Sequence, residues 1–514
     1  MVMPKGDLIK TGISGLDSIL LGGIPRTNVI LVQGVSGSGK TLMGLEFIYR
    51  GIVEYNEPGL VVVFETSPDK LIRDAAEFGW NLDEMQQQKK LQIVFTSPQV
   101  LDQELRSPDS LLLEAATEMG AKRIFVDGIG LLVSASGVGD SERGGYRELL
   151  QQLMESLSRE NLTAMLSLEV GSAPNSIATV EASDFLADTV IQLGRERHGR
   201  HTQRSLEVLK SRGQDFEGGE HTLQITAGQG LQVFRRVQAP LRVNAKQPTS
   251  STMRSVIGVE AVDTLIGGGI FDGSTTMVVG VSGVGKTVLA TQILREGALK
   301  QKKRGLLISL DEHPAQIIRN AQTLGLNLEE QVADGTIQIL FESPQELDVD
   351  AHYDRIVRLI EEHDIQRMVI DGMTSYSTAI GEVSVYRDFF HAIVAHSKQR
   401  LMTTFFNYEN PEFLGISSYM PDFPVSSIVD NLILMSLVEI NNSLHRCMSV
   451  VKSRGSKHSF DTREFVIGQG GISLVPLEKN LVPAVPLQGY SSLLSRAPTR
   501  LSAKRINGAA KAIN

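Results

Sequence analysis

Two glycine-rich segments have the residue types and spacing needed to hold a nucleoside triphosphate. Residues 34–41 and 280–287 both fit the pattern GxxxxGK[ST], and each follows an apolar segment and precedes an amphipathic one. Glycines let the backbone turn tightly so that its N–H groups point at phosphate oxygens, which a helix N-terminus also attracts. The sequence therefore predicts two phosphate-binding loops, each able to hold ATP with Mg²⁺.

The lysine and the threonine that end each loop have separate predicted roles. Lys40 and Lys286 are expected to reach the β- and γ-phosphates, while the hydroxyls of Thr41 and Thr287 bind Mg²⁺. The predicted nucleotide-contacting set also includes the loop residues and the residue after each motif, which are Gly34, Gly37, Ser38, Gly39, Leu42, Gly280, Gly283, Val284, Gly285 and Val288.

An aspartate ends a further apolar segment in each half of the chain, Asp127 in RIFVDG and Asp371 in RMVIDG. P-loop proteins hold the magnesium shell with an acid at the end of a buried strand. An aspartate here could instead cap the following helix, but its presence in both copies favours the metal role. We therefore predict two metal sites, one at Thr41 and Asp127 and one at Thr287 and Asp371.

Hydrolysis also needs a carboxylate that orients water or accepts a proton. The apolar run GLVVVFE ends at Glu65, and GLLISLDE ends at Asp311 and Glu312. We predict catalytic roles for these three carboxylates. The alternative is that they are solvated surface groups at strand ends.

A basic pattern occurs late in each half, RSLEVLKSRG and RCMSVVKSRG. Its cations are Arg204, Lys210, Arg212, Arg446, Lys452 and Arg454. They occupy even-numbered positions, so an uninterrupted strand would place the three cations of each copy on one face. We predict that they bind a nucleotide phosphate, including one held by a neighbouring subunit. The alternative is a charged strand edge that resists aggregation.

Short apolar segments alternate with amphipathic ones, which predicts buried parallel strands separated by helices and hence an α/β fold. In the first copy, the predicted strands are NVILVQ, GLVVVFE, LQIVFT, RIFVDG, AMLSLEV and DTVIQLG, and the predicted helices include TLMGLEFIYRGIVE and PDKLIRDAAEFGW. The two loops recur at an interval of 246 residues, which indicates duplicated domains. We predict domains at 1–237 and 256–475, a linker at 238–255, and a C-terminal regulatory loop and tail at 476–514.

Composition and charge argue against several classes of protein. The net charge of −9 argues against a nucleic-acid binder, because phosphate contacts need a basic face. The single cysteine, Cys447, cannot form an internal disulfide, which favours a reducing compartment. No apolar run approaches the ~20 residues of a membrane span, and the N-terminus lacks a signal peptide. A cytoplasmic location is therefore expected.

This ordered set of features resembles the KaiC family, the double-ring ATPase and autokinase of the bacterial circadian clock. The resemblance covers nearly the whole chain. It rests on the two P-loops, the FGW at 78–80, both KSRG strands and the stretch YSSLLSRAPTRL that begins at Tyr490. It implies two tandem RecA-like P-loop NTPase domains, each a mostly parallel sheet flanked by helices.

The resemblance also implies function. It implies a homo-hexamer of two stacked rings with ATP at the subunit interfaces, a slow ATPase in the first ring and an autokinase in the second. Ser426 and Ser427 match the family's adjacent phosphorylated hydroxyl residues, although paired serines before a strand usually form turns. The same match gives Glu65 the role of positioning water and makes Asp311, beside Glu312, the acceptor of the hydroxyl proton.

Three positions depart from the family pattern. Asp311 stands where a longer glutamate is usual, Ser427 replaces the usual threonine, and Leu324 replaces the aromatic residue expected over the adenine. The short basic tail after Leu501 argues against a KaiA partner and leaves a KaiB-like partner open.

Two other functions share the same fold. A RecA- or RadA-like DNA-dependent ATPase would have the same core. The acidic net charge of this chain argues against that function. An ATP-gated scaffold ring without kinase activity is the other alternative, and the Asp311 departure favours it.

Overall fold

The computed structural model describes residues 7–106, 110–135, 142–171, 186–198, 201–238, 251–410 and 428–476. By its internal contacts the chain divides into two units, Met1–Arg236 and Val237–Asn514. Residues 239–250 of the predicted linker and 477–514 of the predicted tail lie outside the described residues, and the exact domain boundaries stay predictions.

The first unit contains, within its described ranges, one nine-stranded sheet and one two-stranded sheet. The nine strands lie in the order β11-β10-β9-β8-β3-β7-β6-β4-β5, with parallel pairing from β5 to β8 and antiparallel pairing from β8 to β11. The strands are β1 (Leu8–Ile9), β2 (Ile24–Pro25), β3 (Val29–Gly34), β4 (Gly59–Val63), β5 (Leu91–Phe95), β6 (Arg123–Asp127), β7 (Thr163–Glu169), β8 (Thr189–His198), β9 (His201–Ser211), β10 (Glu220–Thr226) and β11 (Gly230–Phe234).

The helices are α1 (Leu16–Ile19), α2 (Lys40–Tyr55), α3 (Pro68–Ala76), α4 (Leu82–Gln87), α5 (Pro98–Arg106), α6 (Leu111–Met119) and α7 (Glu142–Arg159), with a 3₁₀ segment at Ile129–Ala135. Helix α1 lies between β1 and β2, and α2–α7 lie in the connections between the parallel strands β3 to β7. The six apolar segments predicted as strands correspond to β3–β8, and the two predicted helices correspond to α2 and α3.

The second unit repeats this arrangement. Its described strands are β12 (Arg254–Ser255), β13 (Ile270–Phe271), β14 (Thr275–Gly280), β15 (Gly305–Ser309), β16 (Ile337–Phe341), β17 (Arg367–Asp371), β18 (Thr403–Glu409), β19 (Asn431–Ile440), β20 (Ser443–Ser453), β21 (Arg463–Gly468) and β22 (Gly471–Leu474). Strands β12 and β13 form a two-stranded sheet. The other nine lie in the order β16-β15-β17-β18-β14-β19-β20-β21-β22, again parallel from β16 to β19 and antiparallel beyond.

Its helices follow the same plan. They are α8 (Glu260–Ile266), α9 (Lys286–Gln301), α10 (Pro314–Thr323), α11 (Glu329–Ala333), α12 (Val349–Glu362), α13 (Met373–Ile380) and α14 (Val383–Gln399). The prediction of two tandem α/β domains, each with a mostly parallel sheet, is confirmed.

Apolar cores on both sides of each sheet explain why its central strands are apolar throughout. In β3, Ile30 belongs to the core cluster that contains Phe47 of α2, whereas Leu31 belongs to the cluster that contains Leu153 of α7. Successive strand residues point to opposite faces, so a strand covered on both faces has no polar positions to alternate. Because these strands pair in parallel, their carboxyl ends lie at one edge of the sheet.

A buried polar contact joins the helix after each P-loop to the last strand of its sheet. In the first unit, the backbone N–H of Leu231 donates to Oε2 of the fully buried Glu46 at 2.7 Å. In the second unit, Ile472 N–H donates to Oε1 of the buried Gln292 at 2.8 Å. The two residues occupy the same position of the repeat, one ionisable and one neutral.

Candidate nucleotide sites

The first P-loop connects β3 to α2. Gly37 and Gly39 have φ values of 73° and 110°, a left-handed region that favours glycine. The buried Lys40 donates from Nζ to the carbonyl oxygens of Gly34 and Val35, both at 2.9 Å. Burial lowers the pKa of Lys40, and the nearby Glu169 and Asp127 oppose that shift. The loop therefore holds the Lys40 ammonium group against two of its own backbone carbonyls.

The predicted magnesium ligands of the first unit lie together. Thr41 Oγ1 donates to Asp127 Oδ2 at 2.9 Å. On the neighbouring strand β7, Ser167 Oγ donates to Asp127 Oδ1 at 2.5 Å and accepts from the Gly128 N–H at 2.7 Å. Ser167 thus orients the carboxylate, and the sequence signal for it is a polar residue within the otherwise apolar strand AMLSLE.

The second P-loop has the same geometry. Gly283 and Gly285 have φ values of 75° and 114°. Lys286 Nζ donates to the carbonyls of Gly280 and Val281, both at 2.9 Å. Burial lowers the pKa of Lys286, and Glu409, whose carboxylate lies 3.9 Å from Nζ, raises it.

Asp371 is the buried carboxylate of the second site. It accepts hydrogen bonds from the side chains of Thr287 and Asn407, the latter at 2.9 Å. Burial raises the pKa of Asp371, and these two hydrogen bonds and the charge of Lys286 oppose that rise. Asn407 on β18 takes the place that Ser167 has on β7, and sequence reasoning missed both.

A cavity opens at each loop. The first has a volume of about 390 Å³ and is lined by Lys40, Thr41, Leu42, Glu65 and Asp127 among others. The exposed Glu65 follows β4, next to β6 and its Asp127. The structure therefore brings the predicted catalytic, lysine and metal residues of the first unit into one cavity.

The second cavity is larger, about 600 Å³, and contains the predicted carboxylate pair. Asp311 is exposed and Glu312 half-buried. Burial raises the pKa of Glu312, and the negative charges of Asp371 and Asp311 raise it further. Its wall also includes Val288 and the aliphatic Leu324. The predicted catalytic, lysine and metal residues of the second unit line this cavity together.

The residues present fit a magnesium nucleotide. The N-cap residues of α2 and α9 are Gly39 and Gly285, and neither helix has a side-chain cap. The first N–H groups of both helices therefore face the loop and suit an anion. The buried Ser38 Oγ has no hydrogen-bond partner in the described structure, whereas Val284 fills the same position in the second unit. Within the described ranges, no group of three or more His, Cys, Asp or Glu could hold a metal alone. A magnesium ion would therefore be held by threonine, aspartate and phosphate oxygens.

The basic strands differ from the prediction because each contains a β-bulge. In the first unit, Lys210 lies opposite Val190 and Val208 lies opposite Ile191, which leaves Leu209 as the extra residue. Ile191 and Val208 belong to the core on the α2 face, and Val190 belongs to the core on the other face. The alternation of faces is therefore broken at Leu209.

The prediction that the three cations share one face is wrong for this reason. Arg204 lies on the same face as Val208, whereas Lys210 follows the bulge and lies on the opposite face. In the second unit, Val451 is the extra residue between Val450 and Lys452, so Arg446 and Lys452 also lie on opposite faces. Arg212 and Arg454 follow the last residues of β9 and β20.

The last two cations of each basic pattern contact the chain just before β8 or β19. Lys210 donates to the carbonyl of Ala187 at 2.5 Å, and Lys452 donates to that of Val429 at 2.6 Å. Arg212 lies 3.8 Å from Asp188, and Arg454 lies 3.6 Å from Asp430. Where the structure describes the linings, none of the six cations lines the cavity of its own unit.

The predicted phosphorylation sites Ser426 and Ser427 lie outside the described residues. The described part of the chain contains no helix long and apolar enough to cross a membrane.

Fold and sites together define a tandem P-loop NTPase with two RecA-like domains. The family model "ATPase: KaiC" matches residues 9–238 and 256–479, which is most of the chain. The chain belongs to the KaiC ATPase family.

Individual relatives match over almost their whole length. The circadian clock oscillator protein KaiC of Parathermosynechococcus lividus is 31% identical over 504 residues, 97% of this chain and 89% of that protein. KaiC 1 of Synechocystis sp. is 31% identical, covering 96% of this chain and 92% of that protein. KaiC of Prochlorococcus marinus is 32% identical, covering 96% of both.

Proposed function

We propose that this chain is an ATP-hydrolysing autokinase that phosphorylates Ser426 or Ser427 and acts as a circadian-clock or signalling switch. The observation that carries the proposal is the second cavity, which Asp311, Glu312 and the P-loop Lys286 line together. A protein kinase needs a cation for the transferred phosphate and a carboxylate for the hydroxyl proton. Similarity to proteins named circadian clock oscillators supports the switch role.

Aspartate is chemically suited to the base role. In protein kinases the residue that accepts the substrate hydroxyl proton is an aspartate. Asp311 is exposed in the cavity, whereas Glu312 is half-buried, with a pKa raised by burial and by two neighbouring carboxylates. We therefore assign the proton-accepting role to Asp311 and a supporting role to Glu312.

The first domain is proposed to be the slow ATPase. Its cavity has one carboxylate at the end of β4, Glu65, which would orient the attacking water. Lys40 would hold the β- and γ-phosphates, and Thr41 with Asp127 would hold Mg²⁺. Magnesium bound there supplies charge stabilisation of the transferred phosphoryl group.

We further propose a homo-hexamer with ATP at subunit interfaces. Support comes from the six strand cations, which lie outside the cavity of their own unit as far as the structure describes it. A cation that reaches a neighbour's nucleotide acts as an arginine finger does. The bulge at Leu209 separates Arg204 from Lys210, and the adjacent pair is Lys210 and Arg212, which contact Ala187 and Asp188. A KaiB-like protein is retained as a partner hypothesis.

Phosphosite mapping by mass spectrometry tests the kinase proposal. After incubation of the full chain with ATP and Mg²⁺, we expect phosphate on Ser426 or Ser427. Asp311→Ala should reduce this phosphorylation by about 100-fold or more, the usual contribution of a general base. ATP binding measured on the same sample shows whether the variant is folded. A wild-type chain that binds ATP but gains no phosphate would favour an ATP-gated scaffold ring instead.

A further inference from the structure

A hydroxyl group of the second domain contacts the proposed base directly. Ser375 on α13 donates from Oγ to Asp311 Oδ1 at 2.5 Å. The two residues are 64 positions apart in the chain, and they meet because β15, which precedes Asp311, pairs with β17, which precedes α13. Both side chains line the cavity that contains Lys286 and Thr287.

The other aliphatic hydroxyls of α13 are bonded to backbone instead. Thr374 Oγ1 donates to the Glu409 carbonyl at 3.2 Å and accepts from the Glu409 N–H at 3.1 Å. Ser377 and Thr378 both donate to the carbonyl of Thr374, at 2.9 and 3.2 Å. Ser375 is thus the one aliphatic hydroxyl of this fully described helix that the structure pairs with a carboxylate.

Gly372 makes room for this pairing. It lies between Asp371 and α13 with a left-handed φ of 94°. A Cβ at this position would lie 2.4 Å from Asp311 Oδ2, closer than any side chain allows. The glycine therefore lets the carboxylate of Asp311 lie against the first turn of α13, where Ser375 meets it.

The first domain lacks the pairing. Leu131 follows Asp127 at the same interval at which Ser375 follows Asp371, so it occupies the corresponding position of the first domain. Leu131 and Glu65 both line the first cavity. A leucine offers no hydroxyl to accept a phosphoryl group. Among the residues that the structure describes, a hydroxyl hydrogen-bonded to the proposed catalytic carboxylate therefore occurs in the second domain, at Ser375 and Asp311, and not at Glu65 of the first.

We infer that Ser375 is a further phosphorylation site, modified by the ATP bound in its own domain. The inference rests on the proposed kinase function. Ser375 Oγ attacks the γ-phosphorus and forms the new P–O bond while its proton passes to the Asp311 carboxylate. The bond from the γ-phosphorus to the β,γ-bridging oxygen breaks, and ADP leaves with that electron pair. A base must lie within hydrogen-bond reach of the hydroxyl that it activates, and Asp311 already does.

Phosphorylation at Ser375 would also change the site. A phosphate adds about two negative charges next to Asp311 and in the same cavity as Asp371 and Glu312. Repulsion between these groups would disfavour a second ATP in that cavity. Phosphorylation of Ser375 would therefore limit further transfer by the same domain.

The test is site-localised mass spectrometry of the full-length chain after incubation with ATP and Mg²⁺. Trypsin releases residues 368–387 as one peptide, and fragmentation distinguishes its hydroxyls. We expect phosphate on Ser375 in the wild type, none on this peptide in Ser375→Ala, and undiminished phosphate on Ser375 in the matched control Ser377→Ala. Asp311→Asn should lower Ser375 phosphorylation by about 100-fold, and ATP binding by each variant serves as the folding control.

The outcomes separate this inference from the proposed function. Phosphate on Ser426 or Ser427 with none on Ser375 would overturn the inference and leave the kinase proposal intact. Phosphate on Ser375 alone supports the inference and makes it the principal acceptor. A third outcome combines two results: the wild type carries no phosphate on Ser375, and Ser375→Ala loses phosphorylation of Ser426 and Ser427. Ser375 would then be a positioning residue, which contradicts the inference. No phosphate at any site, with ATP bound, overturns both.

Discussion

Lys286→Ala is expected to weaken ATP binding in the second domain by about 100-fold, and Lys40→Ala to do the same in the first. Each ammonium group is buried against two loop carbonyls and is placed to reach phosphate oxygens instead. A hydrogen bond to a charged group contributes ~1.5–3 kcal/mol, and ~1.4 kcal/mol corresponds to a tenfold change in affinity. Removing the contacts of one lysine to two phosphates accounts for the expected loss.

Isothermal titration calorimetry with ATP and Mg²⁺ measures this result. The wild type should bind two nucleotides per chain, each single variant one, and the double variant none. Lys300→Ala is the matched control, because Lys300 lies in the last turn of α9 and pairs with Glu296. If Lys40→Ala left two sites of unchanged affinity, the first loop would not be a nucleotide site.

Glu46→Gln is expected to stabilise the first domain by about 3 kcal/mol at about pH 8. Burial raises the pKa of Glu46 from 4.5 to about 7, although the Leu231 N–H and Arg50 favour its charged form. The folded state therefore binds the proton more tightly than the unfolded state does. The resulting stability is present below the unfolded pKa and is lost as pH rises through about 7.

Glutamine removes this pH dependence. Gln292 shows that a neutral amide fits the position, since its oxygen accepts from Ile472 in the second unit. We expect the advantage of Glu46→Gln to fall below ~1 kcal/mol at about pH 5, where the folded wild type is already protonated.

Urea unfolding followed by the fluorescence of Trp80 measures the effect, because Trp80 is the single tryptophan and is buried in the first unit. The reciprocal variant Gln292→Glu should leave this transition unchanged. An equal gain from Glu46→Gln at both pH values would mean that the Glu46 charge is not the cause.

The features that sequence could predict are local ones. Each P-loop is a continuous motif, and each parallel strand is an apolar run covered on both faces, so both could be predicted without knowledge of the tertiary contacts. Asp127 and Asp371 could be predicted because each ends such a run. The repeat strengthened every one of these predictions by providing a second example.

The features that sequence missed depend on pairing between distant segments. The bulge at Leu209 arises from the register between β8 and β9, and the even spacing of Arg204 and Lys210 conceals it. The contact between Ser375 and Asp311 requires two neighbouring strands to end at the same level. Glu46 was missed for the same reason: a carboxylate among apolar helix residues is a visible signal, but its partner Leu231 is on the last strand.

We propose that the two domains divide the chemistry, with Glu65 serving ATP hydrolysis and Asp311 serving phosphoryl transfer. The most direct measurement follows ATP labelled in its γ-phosphate and quantifies free phosphate and protein-bound label in the same reaction. We predict that Glu65→Gln lowers free phosphate release by about 100-fold and leaves the protein labelled. Asp311→Asn should lower labelling by about 100-fold and leave most hydrolysis intact. Loss of both products in either variant, with ATP still bound in both domains, would contradict this division of roles.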